Sequence, residues 1–431
     1  MKQQYAGRGL AVLLVLLAIA LLLVERLPPV IAILAVITLC VGANWHSVSQ
    51  TVRSTPALWA VAALIIWMIL SAFWSIAGLE GWTGGVRIAA MILAAAMLPV
   101  LAMSLPADVK NKTADWALVA AAIAVALLCV ETLFDMPLLR TARFFFNHEI
   151  FTDLVPADPD KADGYTYYRT LYLANRLTHL SSIVAILMVP LAAVFWHRHR
   201  HLAIVAVVVA ALVGFLLAPA QTPLLAVMLG AGAAGIACIP AIARSRWTAP
   251  LAASAIAAAV IASPWLAETI YGYVPQHAGG MDVSIFHRLA IWDHAAGLIA
   301  DRPVVGYGIE AARIIGRSGA NVAEDAQGFA VAFQALPLHP HNASIQIWLE
   351  LGGVGALLFA LFVYLMTIKV WFLSNDRLLR AGLVGGWVSA LAVAHLSYGI
   401  WQYWWIATLG LVATMLALIV APVSAETGGG E

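Results

Sequence analysis

The sequence predicts an all-α polytopic membrane protein with about twelve transmembrane helices, and three observations lead to this prediction. Of the 431 residues, 63% are hydrophobic and only 10% are charged, whereas soluble domains usually carry about 25% charged residues. The apolar residues form continuous runs, not the alternating segments of ~10 residues that a membrane β-barrel needs. Lys and Arg (23) nearly balance Asp and Glu (22), which excludes a nucleic-acid binder that works through excess basic charge.

The individual spans follow from run length, because a helix needs about 20 mainly apolar residues to cross ~30 Å of hydrocarbon. The candidate spans are 9–24, 28–43, 57–74, 84–103, 114–134, 177–196, 202–218, 223–243, 249–266, 343–373, 378–398 and 401–421. The first two are separated only by a short segment from Glu25 to Pro29, which indicates a tight helical hairpin. We expect the first span to be a retained anchor and not a cleaved secretory signal.

Basic residues in the short connections predict the orientation of the chain. With the N-terminus in the cytoplasm, the inside segments hold twelve Lys and Arg residues, and the short outside connections hold only Arg26 and Arg87. The sequence therefore predicts that both termini are cytoplasmic. The glycine-rich tail, 422–431, is expected to be disordered.

Two connections are much longer than the others, and both face outside in this orientation. Long loops are uncommon in compact proteins and tend to carry function. The chain then divides into five spans in 1–134, a loop at 135–176, four spans in 177–266, a large loop with short helices at 267–342, and three spans in 343–421. Within the large loop, 284–300 is expected to form an amphipathic surface helix. We therefore expect the chemistry on the outer face.

A candidate catalytic segment, His339-Pro340-His341-Asn342, comes just before the tenth span. Pro340 disfavours helix at the residue before it, so a helix is expected to begin near Asn342. His341 would then lie at a helix N-terminus, where a neutral imidazole can accept a proton from a hydroxyl and free N–H groups suit a phosphate. A second interpretation is that His341 and Asn342 form a structural helix cap. A third is that both histidines bind a metal ion, although no carboxylate accompanies them at the spacing of a metal ligand.

The spacing of residues after this segment is also specific. Nine residues separate Asn342 from Gly352, and two more separate Gly352 from Gly355. We expect both glycines to provide small faces for close contact between helices. The run from His341 to Gly355 resembles the signature His-(Asn/Ser/Gln)-x9-Gly-x-x-(Gly/Thr/Tyr) of bacterial O-antigen ligases. Ile345 and Glu350 also match the broader pattern shared with O-antigen polymerases and O-linked oligosaccharyltransferases.

Two further motifs resemble the same superfamily and occur in the same order. Arg288 to Trp292, followed by Pro303 to Gly308, is similar to its Arg-x-x-x-Trp and Pro-x-x-Gly-x-Gly stretches. Leu70 to Ser75 is similar to its Leu-Ser-x-x-Trp-Ser motif. The chain departs from the family at 219–223, where Pro-Ala-Gln-Thr-Pro replaces a Ser-x-Ser-Arg-like stretch, so a donor-binding arginine there cannot be carried over.

The resemblance implies a GT-C-like membrane glycosyltransferase in the inner membrane of a Gram-negative bacterium. Such an enzyme moves O-antigen polysaccharide from undecaprenyl pyrophosphate to the lipid A-core oligosaccharide at the periplasmic face, in lipopolysaccharide biosynthesis. It needs no cofactor and no metal ion, and its partners are the two lipid-linked glycans and membrane lipids, not nucleic acid. The two long outer loops would then be periplasmic, with the active site facing the periplasm.

The resemblance also implies roles for particular residues. His341 is expected to be the catalytic base, with Asn342 orienting it or a substrate and His339 as the fallback base. Arginine is the side chain best suited to hold a pyrophosphate. Arg288 matches the motif and is expected to bind the donor pyrophosphate; the further candidates are Arg176, because it enters an apolar helix, and Arg169, because it lies close to several tyrosines. The structural residues of the motifs are Trp292, Glu350, Gly352 and Gly355.

Alternatives remain open for the arginines and for the whole chain. The alternative for Arg288 is a solvated helix residue or an ion-pair partner of Asp293. The alternative for Arg176 is a side chain that snorkels to the membrane interface. An O-antigen polymerase and an O-linked protein oligosaccharyltransferase differ from the ligase in their acceptor. A secondary transporter is the alternative from another class, although the halves of the chain show no internal repeat.

Overall fold

The computed structural model describes residues 1–24, 26–146, 162–218, 221–277, 283–317 and 335–428; within these ranges it does not describe the side chains of 142–146, 162–175, 274–277, 283–284 and 422–428. The described chain is all-helical. Its first helices are α1 (Lys2–Leu23), α2 (Leu27–Gly42), α3 (Trp45–Ser54), α4 (Pro56–Ser71), α5 (Leu79–Met103), α6 (Ala107–Leu133), α7 (Pro137–Phe146) and α8 (Ala162–His197). They are followed by α9 (His201–Leu217), α10 (Thr222–Cys238), α11 (Pro240–Arg244), α12 (Thr248–His277), α13 (Val283–Asp301), α14 (Ala311–Arg317), α15 (Ala343–Trp371), α16 (Arg377–Leu396) and α17 (Tyr403–Gly428).

These helices confirm the predicted fold class, an all-α polytopic membrane protein. Eight of the described helices are long and apolar enough to cross a membrane, or nine if the bent pair α2 and α3 forms one span. Three shorter apolar helices, α4, α9 and α10, coincide with the remaining predicted spans. Each of the twelve predicted spans therefore overlaps one apolar helix, while length and composition alone support eight or nine crossings.

The two long connections contain helices as well as loops. α7 lies within 135–176, and α8 begins at Ala162, so the helix of the sixth span starts well before the predicted boundary. The helix expected at 284–300 is α13, from Val283 to Asp301. At the other end of the chain α17 continues to Gly428, past the end of the predicted span.

Small residues allow several of these helices to approach closely. Gly230 of α10 faces α16, where a Cβ atom at position 230 would lie 2.5 Å from the carbonyl oxygen of Gly385 and 2.2 Å from Oγ of Ser389. The Ser389 hydroxyl donates to the carbonyl oxygen of Ala226 at 3.0 Å. Such small-residue contacts are typical of helix packing in a bilayer, where close van der Waals contact drives association.

α15 is the central helix of the region that carries the sequence motifs. It packs against α4, α12, α13, α14 and α16. Its first nine residues, from Ala343 to Leu351, are all buried. Because α15 begins directly after His341 and Asn342, the surrounding helices hold the candidate catalytic segment in place.

Candidate active site

His341 lies in a tight bend immediately before α15. Its backbone has φ of +55°, a left-handed conformation that is uncommon outside glycine and that clusters at functional sites. The next residue, Asn342, is the N-cap of α15, and its side-chain oxygen accepts a hydrogen bond from the backbone N–H of Ile345 at 3.1 Å. The predicted helix start is therefore correct. Because the side-chain oxygen of Asn342 accepts this capping hydrogen bond, the residue has a structural function at the start of α15.

The His341 ring is oriented by a backbone carbonyl. Its Nδ1 lies 2.6 Å from the carbonyl oxygen of Ser397. A carbonyl oxygen only accepts, so Nδ1 carries the hydrogen and the neutral ring has its lone pair on Nε2. Burial lowers the pKa of His341 below 6.5, and Arg288 and His287 lower it further, while the bond to Ser397 opposes them. The imidazole is therefore neutral near pH 7, with Nε2 able to accept a proton.

His339 packs edge-to-face against His341, with ring centroids 4.3 Å apart. Its Nδ1 accepts from the backbone N–H of His341 at 3.3 Å, and its Nε2 lies 3.0 Å from the side-chain amide of Gln402. Burial lowers its pKa to about 3, and His341 and Arg313 add to the effect. Because both ring nitrogens are engaged, His339 is less suited than His341 to accept a proton, and it instead shapes the bend that holds His341.

α13 brings Arg288 and Trp292 to the catalytic segment. The indole Nε1 of Trp292 donates to the carbonyl oxygen of Pro340 at 2.7 Å. Arg288 precedes Trp292 by four residues, so both lie on the same side of the helix. The charge of Arg288 also acts on the His341 imidazole. The Arg-x-x-x-Trp spacing thus puts Arg288 one helical turn before the tryptophan that attaches α13 to the His-Pro-His bend, close enough for its charge to act on His341.

The Pro-x-x-Gly-x-Gly motif docks where α15 is interrupted. Gly352 has φ of +65° and ψ of −168°, which breaks the helix. The backbone N–H groups of Tyr307 and Gly308 donate to the carbonyl oxygens of Leu349 and Glu350, at 2.9 Å and 2.8 Å. The Gly353 N–H donates back to the carbonyl oxygen of Pro303 at 2.8 Å. The 303–308 loop therefore replaces hydrogen bonds that the broken helix has lost.

This arrangement corrects the sequence interpretation of Gly352 and Gly355 as small faces for contact between helices. A Cβ atom at Gly352 would lie 2.3 Å from the carbonyl oxygen of Val304, in the 303–308 loop. At Gly355 it would lie 2.2 Å from Cβ of Leu351, in the preceding turn of α15 itself. The glycines are needed by the helix break and its docked loop. Helical periodicity gives no sign of such a break.

The third motif, Leu70 to Ser75, joins the same junction at the end of α4. Ser71 Oγ accepts from the backbone N–H of Ile309 at 3.1 Å, and Ser75 Oγ donates to the carbonyl oxygen of Ile309 at 2.6 Å. The indole of Trp74 donates to the carbonyl oxygen of Val305 at 3.2 Å. All three sequence motifs therefore meet at one junction, which lies about two helical turns after the start of α15.

Glu350 is the buried carboxylate of this junction, with 1% of the residue exposed. It accepts hydrogen bonds from the indole of Trp401 at 2.9 Å, the backbone N–H of Glu310 at 2.8 Å and the side-chain amide of Gln346 at 3.1 Å. A buried carboxylate needs such donors because desolvation is costly. Glu350 thus connects α15 to the 303–308 loop and to the segment before α17.

That segment, 397–402, was not predicted from the sequence as part of the site. Besides the Ser397 carbonyl and Trp401, it contributes the backbone N–H of Ile400, which donates to Gln346 Oε1 at 3.0 Å. Gly399 lies against His339, where a Cβ atom would be 2.7 Å from the imidazole Cγ. The run Tyr398-Gly399-Ile400-Trp401 reads as the end of one apolar span and the start of the next, and only its Gly399 indicates a turn.

The other two predicted arginines lie on α8. Arg176 is buried, with 7% of the residue exposed, at the start of the membrane-spanning part of the helix. One turn later, His179 stacks on Trp404 with ring centroids 3.9 Å apart and contacts Tyr398, the neighbour of Ser397. Arg176 is thus on a helix that packs beside the 397–402 segment. Arg169 is in α8 too, but its side chain lies outside the described residues.

The alternative of a metal site gains no support from the described residues. In that part of the chain, no three His, Cys, Asp or Glu side chains are grouped as metal ligands. His339 and His341 contact each other through their rings and hydrogen-bond to protein atoms.

Part of this chain is similar to a known protein family. Residues 206–360 match the family described as O-antigen ligase. This range contains Arg288, Trp292, His341, Glu350 and Gly352, whereas Arg176 and the 397–402 segment fall outside it.

Curated relatives match over a similar length. A protein named "Putative polysaccharide ligase" from Rickettsia conorii is 35% identical over 139 residues, or 32% of this chain and 33% of the relative. One of the same name from Rickettsia prowazekii is 38% identical over 141 residues, with the same coverage. The match thus spans about a third of the length of these curated relatives. Together the comparisons show that the segment 206–360 of this chain is similar to the O-antigen ligase family and to proteins named as polysaccharide ligases.

Proposed function

We propose that this protein is a glycosyltransferase that moves O-antigen polysaccharide from undecaprenyl pyrophosphate to the lipid A-core oligosaccharide. The family match and the similarity to polysaccharide ligases support O-antigen ligase-type activity in general. The identity of the donor, the acceptor and the membrane face are part of the proposal. Both substrates are anchored in lipid, so a site at the membrane surface beside α15 suits them.

The observation that carries the proposal is the orientation of His341. With Nδ1 donating to the Ser397 carbonyl oxygen at 2.6 Å, Nε2 is the atom that takes the proton of the acceptor hydroxyl. A single well-placed base typically accelerates such a step by roughly 10²–10⁴-fold. The lowered pKa of His341 keeps the base neutral at physiological pH.

The proposed reaction is a direct displacement at the anomeric carbon of the donor. The acceptor oxygen forms the new glycosidic bond while the bond to the pyrophosphate oxygen breaks, and undecaprenyl pyrophosphate leaves with the bonding electron pair. The hydroxyl proton passes to His341 Nε2. Arg288 stabilises the charge that develops on the leaving pyrophosphate, and Arg176 and Arg169 are proposed to hold the same group. One displacement inverts the anomeric configuration, and no metal ion or other cofactor takes part.

Asn342, Trp292, Glu350, Gly352 and Gly355 have positioning functions in this mechanism. Asn342 caps α15 behind His341, and Trp292 attaches α13 at Pro340. Glu350 and the two glycines maintain the break in α15 and the docked loop. The proposed environment is the inner membrane, with both termini cytoplasmic and His341 at the periplasmic face.

Acceptor identity separates the ligase from its alternatives. The purified full-length protein is incubated with undecaprenyl-pyrophosphate-linked glycan and, in separate reactions, with lipid A-core, with additional donor only, or with an acceptor peptide. A ligase glycosylates lipid A-core. Elongation of the donor glycan would identify a polymerase, and glycosylation of the peptide an oligosaccharyltransferase; either result, without transfer to lipid A-core, contradicts the proposal.

A further inference from the structure

A groove of about 700 Å³ lies between α1 and α6, away from the candidate active site. The two helices begin side by side, since a Cβ atom at Gly7 would overlap Cγ1 of Val109. The groove extends from Gln4 to Leu16 along α1, which is about 18 Å at 1.5 Å per helical residue. Pockets for drug-sized ligands measure roughly 300–1,000 Å³, so the groove has room for a sizeable molecule or for part of a longer one.

Two contacts place the groove at the membrane face opposite His341. Nη1 of Arg198 donates to Asp115, in the groove wall, at 3.1 Å. The preceding residue, His197, lies 2.8 Å from the carboxylate of Asp376, which follows the end of α15. α15 begins beside His341 and has 29 residues, enough to cross the hydrocarbon core of a bilayer. In the proposed orientation of the chain, this opposite face is cytoplasmic.

The lining of the groove changes from polar to apolar along its length. Arg8 and Lys112 lie in its first part, towards the N-terminal ends of both helices. The apolar residues Val12 and Leu16 follow on α1 and are 59% and 46% exposed. Trp116 of α6 also lines the groove, and tryptophan is enriched at the level of the lipid headgroups. A phospholipid has the same order, with a charged headgroup at the surface and apolar chains directed into the bilayer.

The charges at the polar end favour an anionic lipid. Arg8 and Lys112 are exposed, and within the described part of the chain neither forms an ion pair. Around the groove, three positive side chains (Arg8, Lys112 and Arg198) face two negative ones (Asp108 and Asp115). A lipid with one net negative charge balances this excess, whereas zwitterionic phosphatidylethanolamine leaves it uncompensated. Basic residues at the membrane surface attract anionic headgroups in this way.

We infer that the groove between α1 and α6 binds one anionic glycerophospholipid, with its phosphate between Arg8 and Lys112 and an acyl chain along Val12 and Leu16. Arginine supplies several donors to the phosphate oxygens, and lysine supplies a point charge. The bound lipid joins α1 to α6 at this membrane face. The assignment does not depend on the glycosyl transfer proposed for the opposite face.

The test is lipid binding to the purified, delipidated full-length protein in detergent micelles. The protein is titrated with phosphatidylglycerol or with phosphatidylethanolamine of the same acyl chains, and native mass spectrometry counts the bound lipids. The wild type is expected to bind the first phosphatidylglycerol at least about tenfold more tightly than phosphatidylethanolamine. Arg8→Gln combined with Lys112→Gln removes both phosphate ligands and should weaken phosphatidylglycerol binding by at least about tenfold.

Two further variants separate the groove from general charge effects. Val12→Trp places an indole where the acyl chain would lie, at an exposed position outside the protein core, and should weaken phosphatidylglycerol binding by at least about fivefold. Arg53→Gln combined with Arg244→Gln is the matched control, because it also removes two positive charges, from exposed residues at the ends of α3 and α11. It should change the affinity by less than about twofold, since screened charges act only over about 10 Å.

Each result supports or overturns the inference. Equal affinity of the wild type for the two lipids overturns it, as does unchanged binding by the Arg8–Lys112 double variant. An equal loss in the control double variant assigns the preference to the overall charge of the protein and overturns it too. Unchanged binding by Val12→Trp, or a second copy of the chain retained in place of lipid, contradicts a lipid in the groove. If the Arg8–Lys112 variant does not fold, the wild-type preference and Val12→Trp decide.

Discussion

The imidazole of His341 donates its Nδ1 hydrogen to the carbonyl oxygen of Ser397 across 2.6 Å, which joins the start of α15 to the segment that precedes α17. This bond selects the tautomer in which Nε2 is free to act as a base. The bond also holds the His341 ring in one orientation, because it attaches the ring to the segment before α17.

The pH dependence of transfer follows from the direction of the His341 pKa shift. A general base must be neutral, and burial lowers the pKa of His341 below 6.5. The midpoint of its protonation therefore lies below pH 6.5, so most of the base is still neutral at pH 6.5, and kcat is expected to fall to half its plateau only at a lower pH. A pH–rate profile of the purified enzyme measures this. An acid limb with a midpoint above 6.5 would contradict the assignment.

Gly352→Ala is expected to destabilise the protein strongly. The combination of φ +65° and ψ −168° is in practice accessible only to glycine, and strain of this kind costs about 1–3 kcal/mol. The added Cβ would also lie 2.3 Å from the carbonyl oxygen of Val304. Gly232→Ala is the matched control, because no atom of the described residues lies within 4 Å of a Cβ there, and it should be neutral or stabilising by up to about 1 kcal/mol. Thermal unfolding in detergent compares them; equal Tm values would exclude a required break at Gly352.

Trp401→Phe tests the hydrogen bonds to Glu350. The substitution removes the indole donor from a carboxylate that is 1% exposed, and a buried group left short of a partner costs about 1–3 kcal/mol. Trp59→Phe changes an indole that is 58% exposed, and such surface changes usually stay within about 0.5 kcal/mol. Chemical denaturation in detergent micelles measures both. The network would be unimportant for stability if both variants unfolded at the same denaturant concentration.

Removal of divalent metal ions is expected to leave transfer intact. The proposed mechanism uses Arg288 for charge stabilisation and His341 for proton transfer, so EDTA should change the initial rate by less than about twofold, a small effect beside the roughly 10²–10⁴-fold contribution of a base. Addition of Mg²⁺ after EDTA is the control. Strong inhibition by EDTA that Mg²⁺ reverses would assign a metal ion to the site.

Much of the fold was predictable because a continuous apolar run directly indicates a membrane-spanning helix. The start of α15 was predictable too, because Pro340 and the capping residue Asn342 are local signals that act on their immediate neighbours. The motifs around Ser75, Gly306 and Gly352 were recognisable individually, and the structure shows that they meet at one junction. Their contacts are mostly to backbone carbonyls, which carry no sequence signature.

Other parts of the site could not be predicted for the same reason. Ser397 acts through its carbonyl oxygen, which any residue provides, so its serine side chain gives no indication of the contact with His341. Glu310 is positioned by a left-handed backbone and a bond to Glu350, forty residues later in the chain. Gln402 looks like an ordinary polar residue at a helix start until the structure places it against His339.

The most direct test of the account is the rate of glycan transfer by His341→Ala in purified enzyme, with lipid-pyrophosphate-linked glycan and lipid A-core. The account predicts a rate at least ~10²-fold below wild type, from a protein that inserts and unfolds at a similar temperature, while His46→Ala, an exposed histidine in α3, remains fully active. Transfer by His341→Ala at near wild-type rate would contradict the assignment of His341 as the base.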